Sequence, residues 1–182
     1  MEKPLWHVRS SALVVDSPYL RLRRDAIELP NGTLLSEYYV RESEGFVMVF
    51  ALTKQREIVL VRQYRYGNDS ISLELPAGSR ERGEDPLACA QRELTEETGY
   101  TAPRWEMFLH AAAEPVRSTS TMTAYIAYDA ERTHEQHLDP SEYIEVEVLP
   151  LAAFTRALRE GAIDSVACIA ASYAALERLA SL

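Results

Sequence analysis

The chain has 182 residues, 47% hydrophobic and 26% charged, a composition that suits one compact domain with a small appended lobe and argues against disorder. Nineteen basic against 28 acidic residues leave a net charge of −9, the wrong sign for a bulk electrostatic binder of DNA or RNA. The two cysteines, Cys89 and Cys168, have no CxxC or metal-type partner, which excludes a zinc ribbon or disulfide scaffold and fits a reducing cytoplasm. With no apolar h-region at the start and no stretch of 18 apolar residues, neither a signal peptide, a membrane span nor a lipid anchor is expected.

In chain order, residues 1–45 are expected to form a small all-β lobe. Residues 19–24 roughly alternate and 25–29 continue the extended pattern. Asn31-Gly32 then supplies a two-residue hairpin signal, with 34–40 as the return strand. Two β-branched apolar runs, 46–52 and 57–61, are joined by the polar turn 53–56 and should pair as core strands. A short strand over 71–75 is closed by Pro76. Residues 85–98 predict a helix, with Pro86 in its first turn, Gly99 just past its end, and Leu87, Ala90 and Leu94 on one apolar face. Strands follow over 105–111, 122–128 and 143–149. Helices over 151–160 and 165–179 are separated by Gly161. Hairpins mixed with helices in this order point to an α+β domain over 46–182 rather than a run of βαβ units.

The chemistry concentrates in residues 76–100, PAGSRERGEDPLACAQRELTEETGY. Glu93, Glu96 and Glu97 stand at i, i+3 and i+4, which places three carboxylates on one helix face. Like charges at that spacing oppose one another, and a hard divalent cation such as Mg²⁺, which takes carboxylate and substrate phosphate oxygens, would compensate them. Arg92 can neutralise part of the charge and pair with Glu84 from the preceding loop. Gly78 would let the backbone turn tightly and aim the Ala77 carbonyl at the same metal. An isolated ExxEE is most simply a solvated acidic face. Here it belongs to a spaced pattern of Gly78, five residues, Glu84, seven residues, then Arg92-Glu93-Leu94-Thr95-Glu96-Glu97-Thr98-Gly99.

That pattern closely resembles the Nudix box of the Nudix hydrolases over 23 positions, with aromatic Tyr100 in the final aliphatic place. The resemblance implies a Nudix α/β/α sandwich with the box as loop–helix–loop. It further implies Mg²⁺- or Mn²⁺-dependent hydrolysis of a nucleoside diphosphate linked to another group. Glu93 and Glu97 would be the principal metal ligands, supported by Glu96 and the Ala77 carbonyl, and Gly78, Glu84 and Arg92 would order them. Water would attack one phosphorus while bound metal neutralises oxygens and lowers the water pKa. The four histidines, His7, His110, His134 and His137, are scattered and read as structural or surface residues.

Outside the box, residues 61–66 (VRQYRY) and 73–78 (LELPAG) resemble the ADP-ribose and nucleotide-sugar pyrophosphatase branch, as do the N-terminal lobe and the C-terminal segment. This implies Arg65 as a pyrophosphate-binding guanidinium, and Glu74 as a contact to the metal cluster or terminal ribose, against the plainer role of pairing with an arginine. Pro115 stands sixteen residues past Gly99 but is followed by Val116 rather than glycine, so the sugar stays open and a GDP-mannose-type substrate is the alternative. Arg117, Ser118 and Thr119 could meet the terminal sugar phosphate or form an ordinary polar loop. The branch also places a water-assisting glutamate in the loop before the last strand; by position this is Glu142, with Glu145 second. It further implies a homodimer exchanging N-terminal lobes, with Trp6, Tyr19 and Tyr39 as base-stacking candidates. A non-catalytic ligand sensor is the reading from another functional class.

Overall fold

The computed structural model describes residues 5–181, so the outermost residues of both expected domains, 1–4 and 182, lie outside the described residues. Strands β1 (His7–Asp16), β2 (Arg21–Glu28) and β3 (Leu34–Glu42) form an antiparallel three-stranded sheet in the order β1-β2-β3. The β2–β3 hairpin turns where the sequence places it, but through a longer loop than the two-residue turn expected: the Gly32 N–H donates to the Leu29 carbonyl across Pro30-Asn31, so only the glycine is left-handed. Gly32 has φ 82°, and the Asn31 side chain accepts the Thr33 N–H at 3.0 Å. Strand β1 has no counterpart in the sequence reading. All ten of its residues are exposed, so no inside–outside alternation marks it. By backbone contacts, the segment Ala112–Thr121 groups with this lobe through Gly45 as one compact unit, and Phe46–Ala111 with Met122 onward forms the other.

The second unit is built on a mixed sheet. Its strands are β4 (Phe46–Thr53), β5 (Glu57–Arg65), β6 (Ser70–Glu74), β7 (Ala77–Ser79), β8 (Tyr100–Thr101), β9 (Arg104–Ala112), β10 (Thr121–Arg132) and β11 (Ile144–Pro150). Its helices are α1 (Pro86–Thr98), α2 (Leu151–Arg159) and α3 (Val166–Ala180). The main strand order is β11-β5-β4-β10-β8, with β6 on β5, β7 on β4 and β9 on β10. Strand β10 runs parallel to β4, whereas β5 and β7 are antiparallel to β4.

Strand β4 reads as an unbroken apolar run because both of its faces are covered. Val47, Val49 and Ala51 join Cys89, Ala90 and Leu94 of α1 in one cluster. Met48, Phe50 and Leu52 join Phe154 and Leu158 of α2 and Cys168, Ala171 and Ala175 of α3 in the other. The result is an α/β/α sandwich, as the resemblance implied. Strand β5 extends four residues past its predicted end, which carries Arg65 to its tip. The short β7 and β8 escaped the sequence reading because each is defined by a distant partner strand rather than by its own pattern. No helix among the described residues is long and apolar enough to cross a membrane.

Candidate active site

Helix α1 is set by its ends. The Asp85 side chain accepts the N–H groups of Leu87 and Ala88, both at 3.0 Å, Pro86 occupies the first turn, and Gly99 closes the helix at φ 75°. A β-carbon at Gly99 would strike the His134 carbonyl, so glycine is needed there for contact as well as for conformation. The apolar face of α1 packs on the sheet and leaves Glu93 and Glu97 directed back at strand β7.

Gly78 departs from the expected reason for a glycine. It is not in the left-handed region; it pairs with Val47 inside β7. What excludes a side chain is the Glu93 carboxylate, which occupies the space a β-carbon would take. Beside it, the Ala77 N–H donates to Glu97 Oε2 at 3.0 Å. Glu97 is 4% exposed. Burial, opposed in part by the Ala77 bond and reinforced by the charges of Glu93 and Glu142, pushes its carboxyl up to about 8. Burial also raises Glu93, against the pull of Arg92.

Arg92 gathers the remaining acids. Its Nε and Nη2 contact the two Glu84 oxygens at 3.0 and 3.1 Å, while Nη1 reaches Glu93 at 2.8 Å and Glu96 at 3.0 Å. This fork holds the Glu84 carboxyl down to about 2. Arg65 is likewise held by Glu74, through Nε at 2.8 Å and Nη2 at 2.6 Å, so the plainer reading of Glu74 is the one seen. Glu74 is buried, while the Arg65 side chain keeps 43% exposure.

A cavity of about 390 Å³ is lined by Arg65, Glu74, Ala77, Gly78, Glu97 and Glu142, together with Gln63, Ser165 and the apolar Phe46 and Met48. Glu145 is not among its walls; it sits on β11 opposite Arg62. Glu142 Oε2 accepts the Asp139 N–H at 3.1 Å, which folds its side chain back on its own loop. Sequence reasoning missed Gln136. Its side-chain amide donates to the Glu97 carbonyl at 2.7 Å and to the Ile144 carbonyl at 3.2 Å, fastening the β10–β11 loop to the end of α1. No local pattern marks such a glutamine, because one partner, Glu97, is 39 residues away and the other is a backbone carbonyl across a loop.

Arg117 and Ser118 belong to the first compact unit, where their partners are local. The Arg117 carbonyl accepts from Arg41 N–H, its guanidinium lies 5.5 Å from the Tyr38 ring centre, and Ser118 bridges to Arg41. Among the stacking candidates, Trp6 meets Tyr38 edge-to-face at 5.7 Å, so its aromatic partner is Tyr38 and not Tyr39. Tyr19 is almost fully exposed.

Among the described residues, no three carboxylate, thiol or imidazole side chains are drawn together closely enough to hold a metal ion as they stand. The donor chemistry nevertheless fits a hard cation. The charge of Glu142 acts on both Glu93 and Glu97, and that of Glu93 on Glu97, so positive charge is favoured there, with Arg92 and Arg65 supplying part of it.

A NUDIX domain description matches residues 44–169, and one for a nucleoside diphosphate sugar hydrolase N-terminal domain matches 6–40. The chain is 35% identical over 160 residues to a methanol dehydrogenase activator of Bacillus methanolicus, spanning 87% of this chain and 86% of that one. It is 35% identical over 121 residues to an ADP-ribose pyrophosphatase of Bacillus subtilis, spanning 66% of this chain and 65% of the relative. A crystal structure described as an ADP compounds hydrolase superposes with a TM-score of 0.86 at 22% identity, covering 100% of this chain and 96% of that one, a likeness of fold.

Proposed function

The chain belongs to the Nudix hydrolases, and from that premise we propose that it cleaves the diphosphate of ADP-ribose or a related nucleoside diphosphate sugar, releasing a nucleoside monophosphate and a sugar phosphate. The observation that carries this reading is the single cavity in which the phosphate-suited Arg65 faces Glu97 and Glu142. The name of the Bacillus subtilis relative supports the substrate class.

In this proposal Glu93 and Glu97, with Glu96 and the Ala77 carbonyl, would hold Mg²⁺ or Mn²⁺, which supplies charge neutralisation on the diphosphate and a lowered pKa for water. Arg65 binds phosphate oxygens with the guanidinium edge that Glu74 leaves open, and Glu74 fixes its orientation. Arg92, anchored on Glu84, keeps Glu93 and Glu96 from splaying. Glu142 swings from its tie to Asp139 and accepts the proton of the attacking water at its carboxylate. The partner of this chemistry is a small molecule, with no nucleic acid or membrane involved. The buried Cys89 and Cys168, neither in a disulfide, fit a cytoplasmic setting, and a homodimer joined through the lobe completes the proposal.

The test is a panel of nucleotide sugars incubated with Mg²⁺ and assayed for nucleoside monophosphate. ADP-ribose turnover that EDTA abolishes is the expected result. Preference for GDP-mannose would move the substrate to the alternative. Binding of ADP-ribose with no turnover of any substrate would replace the enzyme by a sensor.

A further inference from the structure

A second concavity, of about 860 Å³, opens on the sandwich at the start of β5. Its walls include three arginines, Arg56, Arg156 and Arg159, one acid, Glu160, and the first turn of α2 at Leu151 and Ala152. Many arginines of this acidic chain are paired with acids, as Arg62 is with Glu147 at 2.6 Å and Arg178 with Glu106 at 2.5 Å. Among the described residues, none makes an ion pair or side-chain hydrogen bond with Arg56, Arg156 or Arg159. The three guanidinium groups are exposed and line one wall, so their positive charge reaches solvent there with no acid among the described residues paired to it.

Arg156 and Arg159 lie in the last turns of α2, where positive charge complements the helix dipole. That accounts for two of the three and does not account for Arg56, which comes from the β4–β5 turn. Arg56 is held at φ 58°, a left-handed conformation that glycine or asparagine takes at lower cost. Its backbone is fixed at both ends: its N–H donates to the Thr53 carbonyl at 3.0 Å, and its carbonyl accepts the Leu151 N–H at 2.9 Å. The turn is thereby docked on the start of α2, and its guanidinium is brought to the same wall as the two helix arginines. Pro150, at the α2 N-cap, provides no side-chain cap, and the Arg56 carbonyl takes that place by accepting the Leu151 N–H.

We propose that this concavity is a second binding site, for a small molecule carrying a diphosphate or two phosphate groups. Planar guanidinium forks match phosphate oxygens in pairs, and three arginines against one glutamate leave the wall net positive. The volume is that of a small-molecule site, and a concave wall favours a compact ligand over a flat acidic protein surface. Arg56 directly precedes β5 and Arg65 ends it, so the two sites lie a strand length apart, about 30 Å at the usual rise per residue. A ligand here does not touch the diphosphate bound at Arg65.

The probe is inorganic pyrophosphate, titrated calorimetrically into the full chain with EDTA present. Wild type and Arg65→Ala should both bind it. The double variant R156A/R159A should bind at least about tenfold more weakly, with an unchanged melting temperature and unchanged hydrolysis of nucleotide sugar. Because Arg56 sits at a strained turn, the helix pair is the cleaner variant. Three results overturn the site: no pyrophosphate binding by wild type, binding lost in Arg65→Ala but kept in R156A/R159A, or displacement of pyrophosphate by an oligoglutamate peptide at lower concentration.

Discussion

The two compact units fail to satisfy opposite kinds of group. In the N-terminal lobe the charges are paired: Arg9 with Glu28, Arg21 with Asp16 and Glu42, Arg23 with buried Asp25 and with Glu42, Arg24 with Glu37. Its apolar groups are not covered, since Val8, Leu13, Val14, Val15, Leu20 and Leu34 are all exposed. In the sandwich, apolar side chains fill two cores, while Glu93, Glu97 and Glu142 are left opposing one another. Exposed apolar residues on a three-stranded sheet are where a protein contact would add most burial. Carboxylates held near one another, with Glu97 buried, favour positive charge beside them. The contrast separates the two parts of the proposal: the dimer rests on the lobe and the metal on the sandwich.

Removing the charge of Glu97 should break the sandwich's half of this contrast most strongly. Glu97→Gln should lower turnover by on the order of 10³ or more, because metal charge stabilisation is worth several kcal/mol. In EDTA the same variant should gain stability. The folded pKa of Glu97, about 8, lies above the usual carboxylate value, so the native state binds the extra proton. Wild-type stability then falls as pH rises from the unfolded pKa through 8, by a few kcal/mol in order of magnitude. Glutamine removes that slope while still accepting the Ala77 N–H. Thermal melts should coincide near pH 5, and the variant should melt higher at pH 8.5. Wild-type turnover in saturating Mg²⁺, or a variant that melts lower at pH 8.5, would refute the assignment.

The lobe's half is tested by charging its bare face. Leu13 lies on exposed β1 opposite Arg23. If a second copy covers this sheet, Leu13→Glu buries an unpaired carboxylate at the contact and should weaken the dimer by roughly 100-fold, the equivalent of a few kcal/mol. Sedimentation at micromolar concentration should give wild type at twice the 20.6 kDa chain mass and the variant at the chain mass. Wild type that runs as a fully active single chain would remove the dimer from the proposal.

What the sequence made legible was whatever depends on near neighbours. The bounds of α1 follow from Asp85, Pro86 and Gly99, and the face shared by Glu93, Glu96 and Glu97 follows from helical spacing alone. The apolar runs of β4 and β10 announce strands buried on both faces. The unread features depend on distant partners. Strand β1 has no buried face within its own chain, and Ser10-Ser11 interrupts its apolar residues. Gly78 has its reason fifteen residues away, in the Glu93 carboxylate. The arginine pairing of Glu74 could not be read from the strands alone, since Glu74 is registered opposite Val61 and the Arg65 guanidinium reaches back along the hairpin to it. Gln136 shows no signal until the ends of α1 and β11 are placed beside it.

The finest distinction between the units lies in their ion pairs. Arg24 and Glu37 meet at 3.6 Å with both side chains about half exposed, a geometry in which solvent and salt screen most of the attraction. Glu84, at 16% side-chain exposure, is gripped by two nitrogens of Arg92, which in turn holds Glu93 and Glu96. Arg92 depresses the Glu84 pKa to about 2, so the pair's stabilisation is fully present above the unfolded carboxylate value near 4.5 and is lost as pH falls toward 2. Glu84→Gln should therefore lower stability at pH 7 by about 1–2 kcal/mol, roughly 3–6 °C in melting temperature for a chain of this size. The deficit should close as the pH is lowered through 4 toward 2. Turnover should fall by roughly tenfold, because Arg92 then orients Glu93 and Glu96 less rigidly. Glu37→Gln, the matched change in the lobe, should stay within about 0.5 kcal/mol of wild type at every pH and leave turnover unchanged. Equal effects from the two substitutions, or a Glu84→Gln deficit that persists at pH 2, would show that the Arg92 fork is only another surface pair.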